Sequence, residues 1–234
     1  MITRRQICCG AAALPLLAVA KTAAADECAV FNVDRQQSVT LDDAIRRLKE
    51  GNERFVAGRS LNCDLTAAVR ATASGQAPFA AIVGCIDSRV PPELVFDQQI
   101  GDMFVARVAG NFVNTDIIGS LEFATKIAGS KVIVVLGHTE CGAVKGAVDQ
   151  VKLGNLTKML QNFDPAIEAS KTVAGERSSK NKKLVQAVAD KNAKLTAKMV
   201  VDKSEVIREL VANKQLVVVP AMHDVGTGQV TFFD

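Results

Sequence analysis

Two short stretches of this 234-residue chain carry residue types that can hold a metal ion. They are Cys85-Ile86-Asp87-Ser88-Arg89 and, some fifty residues on, His138-Thr139-Glu140-Cys141. Two thiolates, one imidazole and one carboxylate make a tetrahedral set for Zn2+. Taken singly, each residue has a plainer reading. A His at a strand end is often just hydrogen-bonded, and a Cys is often buried packing. Their shared setting joins them. The apolar run Phe79-Ala80-Ala81-Ile82-Val83-Gly84 precedes the first stretch, and Lys131-Val132-Ile133-Val134-Val135-Leu136-Gly137 precedes the second. Each reads as a buried strand ending in Gly. Parallel α/β sheets place their chemistry at the carboxyl ends of strands, so neighbouring strands would bring Cys85, Asp87, His138 and Cys141 to one point.

Asp87 decides what such a site does. Four protein ligands make a structural zinc site, whereas three plus a water make a catalytic one. Paired with Arg89, whose planar fork can hold a carboxylate bidentately, Asp87 frees the fourth position and can orient a zinc-bound hydroxide. Two thiolates give the metal more negative charge than three imidazoles would, so activity is expected to rise above neutral pH. A Cys–His nucleophile pair is the competing chemistry. It leaves Asp87-Ser88-Arg89 without a role. His138 is one of two His; the other, His223 beside Asp224, reads as structural or surface.

The remaining chain supplies elements to position these residues. Residues 26–39 lack periodicity and read as an extended arm. A helix starts near Thr40, with Asp42 and Asp43 at its positive end and Leu41, Ala44, Ile45 and Leu48 on one face, and fades near Gly58. A second helix runs from Leu65 to Ser74. Pro91-Pro92-Glu93 starts a short helix. Met103–Val108 is a strand, and Asp116–Ala128 a helix ended by Gly129. A helix from Cys141 to Val151 leaves first-turn amides at Gly142 open to a small ligand. Leu156–Asn213 is helical, broken near Asp164-Pro165, Gly175 and Asp202. Gln215–Ala221 is a strand, and Gly226-Thr227-Gly228 turns into Gln229–Phe233, an antiparallel edge strand. The pattern is one α/β domain over 26–234, with an arm over 26–57 and a mostly parallel sheet flanked by helices.

The N-terminus reads as an export signal over residues 1–25. Arg4-Arg5 precede an apolar run from Ile7 to Ala20, and Ala18-Val19-Ala20 or Ala23-Ala24-Ala25 fits an A-x-A cleavage site. Thr3-Arg4-Arg5-Gln6-Ile7 also resembles a twin-arginine motif; an ordinary secretory signal is the alternative. The expected location is periplasmic or otherwise exported. Removing the segment leaves as many basic as acidic residues, no footprint for nucleic acid and no membrane span. The absence of Trp and Tyr argues in the same direction, against a stacking surface for single strands. Cys28 and Cys63 remain as an even pair, either a disulfide or two independent thiols.

The motifs together resemble the β-class carbonic anhydrases from about Gly51 to Val151, with a weaker echo at Val217–Phe233. Cys85-Ile86-Asp87-Ser88-Arg89-Val90-Pro91 carries the resemblance, with Gly101-Asp102-Met103-Phe104-Val105-Ala106-Arg107-Val108-Ala109-Gly110-Asn111 and Gly137-His138-Thr139-Glu140-Cys141-Gly142-Ala143-Val144. It implies zinc on Cys85, His138 and Cys141, and an Asp87–Arg89 dyad. It implies that Gln76 hydrogen-bonds substrate and that Phe104 lines an apolar carbon dioxide pocket. Phe123 stands where many members carry Tyr, so a hydroxyl role is absent. Ile82 stands where one subgroup carries a Trp beside inhibitory bicarbonate, so no such regulation is expected. An aromatic pair near Met222-His223 is missing. The implied reaction is reversible hydration of carbon dioxide to bicarbonate and a proton. The implied partners are those substrates and further copies of the chain, as dimers with an arm across the partner and sites at the interface, or larger assemblies. Hydrolysis of carbonyl sulfide or carbon disulfide at the same site, or non-catalytic zinc or bicarbonate binding, are the alternatives.

Overall fold

The computed structural model describes residues 28–234, so the expected export signal lies outside the described residues. Five strands form one sheet in the order β2-β1-β3-β4-β5, where β1 is Ala80–Gly84, β2 Met103–Arg107, β3 Val132–His138, β4 Val217–His223 and β5 Val230–Phe232. The first four are parallel and β5 pairs antiparallel with β4 at the edge. β1 and β3 are buried along their whole length, as their unbroken apolar runs require of strands covered on both faces. The chain leaves β1 for β2 on one side and returns to β3 on the other. The carboxyl ends of β1 and β3 therefore border a topological switch point.

The N-terminal helices differ from expectation at one place. The stretch read as an extended arm contains helix α1, Val33–Ser38, capped by Asn32 Oδ1 on the Arg35 amide. It shows no periodicity because its one buried residue is Gln36, whose Nε2 donates to Pro78 O and Ala128 O. Helix α2, Leu41–Val56, starts where Thr40 and Asp43 form a capping box. Ala44 and Leu48 bury its apolar face on the sheet of its own chain, in a cluster with Ile82, Val134 and Leu136. Cys28 and Cys63 are joined as a disulfide, tying the arm to the loop ahead of α3, Leu65–Thr72.

After β1 comes α4, Pro92–Val95, and after β2 comes α5, Thr115–Glu122. The expected single helix to Ala128 instead continues past Glu122 as a π-helical turn, Phe123–Ile127, before Gly129. Helix α6, Gly142–Val148, follows β3. The helical region then comprises α7, Gly154–Leu160, a 3-10 turn at Gln161–Phe163, α8, Asp164–Glu168, α9, Lys182–Lys203, and α10, Glu205–Ala212. The expected break near Asp164-Pro165 is the 3-10 turn at Gln161–Phe163, and Pro165 sits in the first turn of α8, where a proline is tolerated. The later break falls at Ser204, not Asp202, because the Ser204 hydroxyl caps α10 on the Ile207 amide. α9 and α10 cover the face opposite α2 through Ala197, Val200, Ile207 and Leu210. Among the described residues, no helix is long and apolar enough to cross a membrane.

Candidate metal centre

Parallel pairing of β1 with β3 sets Val83 beside Val135. The residues following each strand therefore meet above the sheet. The donor atoms of Cys85, His138 and Cys141 all lie within 4.8 Å of one another, and all three side chains are buried. Both sulfurs are free thiols. The fourth expected ligand stands apart. Asp87 is gripped by Arg89, which donates Nε to Oδ1 at 2.9 Å, Nη2 to Oδ2 at 2.8 Å and its backbone amide to Oδ1 at 3.0 Å. Asp87 Oδ2 remains 3.8 Å from His138 Nε2, facing the same space. Asp87 thus stands beside the three-residue donor set, held by Arg89, in the arrangement expected of the open form of the site.

The surrounding loops are fixed by main-chain contacts. Arg107, at the end of β2, donates Nε to Cys85 O at 2.8 Å and Nη2 to Asp87 O at 2.7 Å, clamping the loop that carries both. His138 Nδ1 lies 2.9 Å from Thr139 O, a contact that an Nδ1–H tautomer satisfies, leaving Nε2 as a lone-pair donor. That Nε2 is buried with no hydrogen-bond partner among the described residues. The Thr139 amide donates to His223 O, and the Val225 amide to Thr139 Oγ1, so β4 holds the His138–Cys141 turn. Glu140 takes φ of 58° within that turn and pairs with Lys145.

The electrostatics suit a cation. The Cys141 thiol beside Cys85 hydrogen-bonds it and holds its pKa down to about 4. Cys141 is pushed up, first by that same neighbour and then by burial. Two buried sulfurs this close resist carrying two negative charges unless a cation lies between them. The orphaned Nε2 and the paired soft sulfurs fit Zn2+. Arg89 holds the Asp87 carboxyl far below the usual range, so Asp87 is an acceptor only.

The substrate-binding residues implied by resemblance are distributed differently. Gly142 directly follows Cys141 and is exposed; the Ala143 and Val144 amides, read as open to a small ligand, instead favour the Cys141 thiolate. Phe104 and Phe123 meet edge-on, centroids 6.0 Å apart, in a pocket of about 630 Å3 with Ala81, Leu121 and Ala124. None of the cluster residues lines it. Gln76 is exposed before the amino end of β1, at the opposite end of the sheet from Cys85. Within one chain these three residues do not join the cluster. His223, read as structural or surface, is buried in register with His138, and neither ring nitrogen has a hydrogen-bond partner among the described residues. Burial, then His138, disfavours its charged form.

Comparison with known proteins agrees with this geometry. The family model described as carbonic anhydrase matches residues 80–230. Carbonic anhydrase 2 of Mycobacterium tuberculosis is 36% identical over 192 residues, covering 82% of this chain and 92% of that protein. A tetrameric β-carbonic anhydrase of Sordaria macrospora superposes with a TM-score of 0.62 at 30% identity, over 70% of this chain and 84% of that one. The β-carbonic anhydrase of Coccomyxa, solved with acetazolamide, gives 0.61 at 26% identity, over 78% and 82%. With its Cys–His–Cys cluster at the switch point of a mostly parallel sheet, this chain belongs to the carbonic anhydrases, in their β class.

Proposed function

We propose that the chain hydrates carbon dioxide reversibly to bicarbonate and a proton at a zinc ion held by Cys85, His138 and Cys141. The observation that carries this reading is the grip of Arg89 on Asp87, which leaves three converging donors and a fourth direction free. Bound there, zinc supplies a nucleophilic water at near-neutral pH and a positive charge for the developing oxyanion. The chain does the positioning. Asp87 Oδ2, always ionised, can only accept a hydrogen bond, so it turns the proton of the attacking group toward itself and a lone pair toward the substrate carbon. Arg89 keeps that carboxylate off the donor set, and Arg107 keeps its backbone in place. His138 and the two sulfurs stay fixed while charge builds on the substrate, with no reorganisation at the moment of reaction.

Gln76, Phe104 and Phe123 enter as groups supplied by a second copy of the chain, since their own cluster is out of reach. An exported location is part of the proposal, and the Cys28–Cys63 disulfide supports it, because such bonds persist in oxidising compartments. Stopped-flow hydration with a pH indicator is expected to show turnover that chelation abolishes and zinc restores. A fully metallated protein without turnover would overturn the reading.

A further inference from the structure

The Cys85 sulfur accepts from two backbone amides, Asp87 at 3.4 Å and Gly110 at 3.2 Å. The Asp87 amide is local and comes with the loop. The Gly110 amide arrives from the loop after β2, twenty-five residues away, and has to be held in place. The far half of the chain is built to hold it. Asn192, on α9 and 3% exposed, donates Nδ2 to Gly110 O at 2.8 Å. Phe163, fully buried, closes on the other side: a Cβ at Gly110 would lie 2.1 Å from its Cζ and 3.2 Å from Ala143 Cβ. Gly110 also takes φ of 86°, which glycine alone adopts readily. A turn over Val108–Asn111, closed by the Asn111 amide on Val108 O at 3.1 Å, orients the peptide that carries the Gly110 N–H. Asn192 anchors that turn by its next peptide, through Gly110 O, and the Phe163 ring leaves no room there for a side chain.

We propose that Asn192 is a positioning residue for the metal centre: by anchoring the Gly110 carbonyl it holds the turn whose preceding peptide keeps the Gly110 N–H on the Cys85 sulfur, which draws charge from that thiolate and leaves the ion it holds a stronger Lewis acid. The inference rests on the reading of Cys85, His138 and Cys141 as a metal centre. Sulfur donates heavily to a metal and so weakens its pull on a bound ligand; a hydrogen bond to the sulfur offsets part of that donation. Partners of a metal ligand tune the metal in this way as well as orienting the ligand. A side chain 107 residues downstream of Cys85 thereby acts on the chemistry without touching it.

The test replaces zinc with cobalt, whose sulfur-to-metal charge-transfer absorption reports how readily the thiolates give up charge. Asn192→Asp keeps the shape but loses the donor, and Asn192→Leu removes hydrogen bonding altogether. Val200→Ala, also buried on α9 but packed with Ile207 and Leu210, is the control for general loosening. In both Asn192 variants the band is expected to move to longer wavelength, and zinc affinity by chelator competition to fall about 10-fold or more. The control band should not move. Folded, cobalt-loaded Asn192 variants with the wild-type band would overturn the proposal. Cadmium-113 NMR of the wild-type protein needs no variant: coupling from the metal through sulfur to the Gly110 amide proton is expected, and its absence would overturn the proposal too. A wild-type protein with no thiolate-to-cobalt band at all would instead sink the metal reading itself.

Discussion

Two carboxylates in this chain have been moved in opposite directions, and each movement has a consequence. Arg89 holds Asp87 ionised, so Asp87 adds no titration of its own to activity across the working pH range. Removing it should abolish its orienting role without emptying the metal site. Asp87→Ala is expected to lower hydration by about 100-fold or more, the usual scale for a positioned proton partner, while zinc content stays near one per chain. Arg89→Ala should be nearly as damaging for a different reason. The freed carboxylate, already 3.8 Å from His138 Nε2, can swing onto the metal and close the fourth position. Tighter zinc retention with lost turnover in R89A would confirm that; unchanged turnover would refute it. Asp102 is the opposite case. Burial raises it to about 6, against weaker help from the Gln99 amide, Arg47 and Arg35, and its Oδ1 has no hydrogen-bond partner among the described residues. An unfolded Asp titrates near ~3.9. Between those values the folded chain binds the proton more tightly, so stability falls as pH rises from about 4 to about 6 and stays lower above that. Asp102→Asn should flatten this decline, measured as denaturation midpoints at pH 4.5 and 7; an unchanged slope would show the ionised form to be fully compensated.

At the scale of elements, what was legible followed from how local each signal is. β1 and β3 announce themselves as apolar runs, and the ligands lie between the last residue of a strand and three residues past it. The capping box at Thr40 and Asp43 marks α2 equally plainly. Helix α1 was hidden because one buried polar residue, Gln36, anchors it. The π-helical turn at Phe123–Ile127 was hidden because it keeps helical composition while shifting the register by one residue. Within the site, the hydrogen bonds that set sulfur character were illegible, since Asn192 and Gly110 are 82 residues apart. The Cys28–Cys63 bond was open on sequence parity alone, and its consequence is now specific. Its sequence separation of 35 residues implies roughly 3–4 kcal/mol of restriction on the unfolded chain. It sits among residues that precede β2, away from the cluster. The double variant C28S/C63S, or reduction, is therefore expected to lower the unfolding midpoint while leaving zinc content and turnover per folded molecule unchanged. Loss of zinc on selective reduction would place the bond in the site's support.

For the whole molecule, the proposed function expects one copy to be half a catalyst, and the distribution of polar and aromatic groups supports that expectation. The five residues of β1 alone span roughly 16 Å, with Gln76 before its amino end and Cys85 beyond its carboxyl end. Phe104 lies on β2, an edge strand with no neighbour on its outer side among the described residues, and Phe123 is 52% exposed next to it. An unpaired edge strand beside an exposed aromatic pocket is a surface that a second copy would cover. A two-fold axis there would return each chain's Gln76 and phenylalanines to the other's cluster, since a residue given across such an interface is also received. The arrangement is testable by complementation. Gln76→Ala keeps its own cluster and lacks the donated amide; Cys85→Ser keeps the amide and lacks the cluster. Each alone should be impaired. In a hybrid, the Gln76→Ala chain's cluster receives an intact Gln76 from its partner. Mixing the two after mild dissociation should therefore restore activity to about a quarter of wild type, because half the pairs are hybrids with one of two sites complete. If mixed and unmixed samples are equally inactive while light scattering finds paired chains, Gln76 does not work across the interface, and substrate must be held by groups on the cluster's own chain.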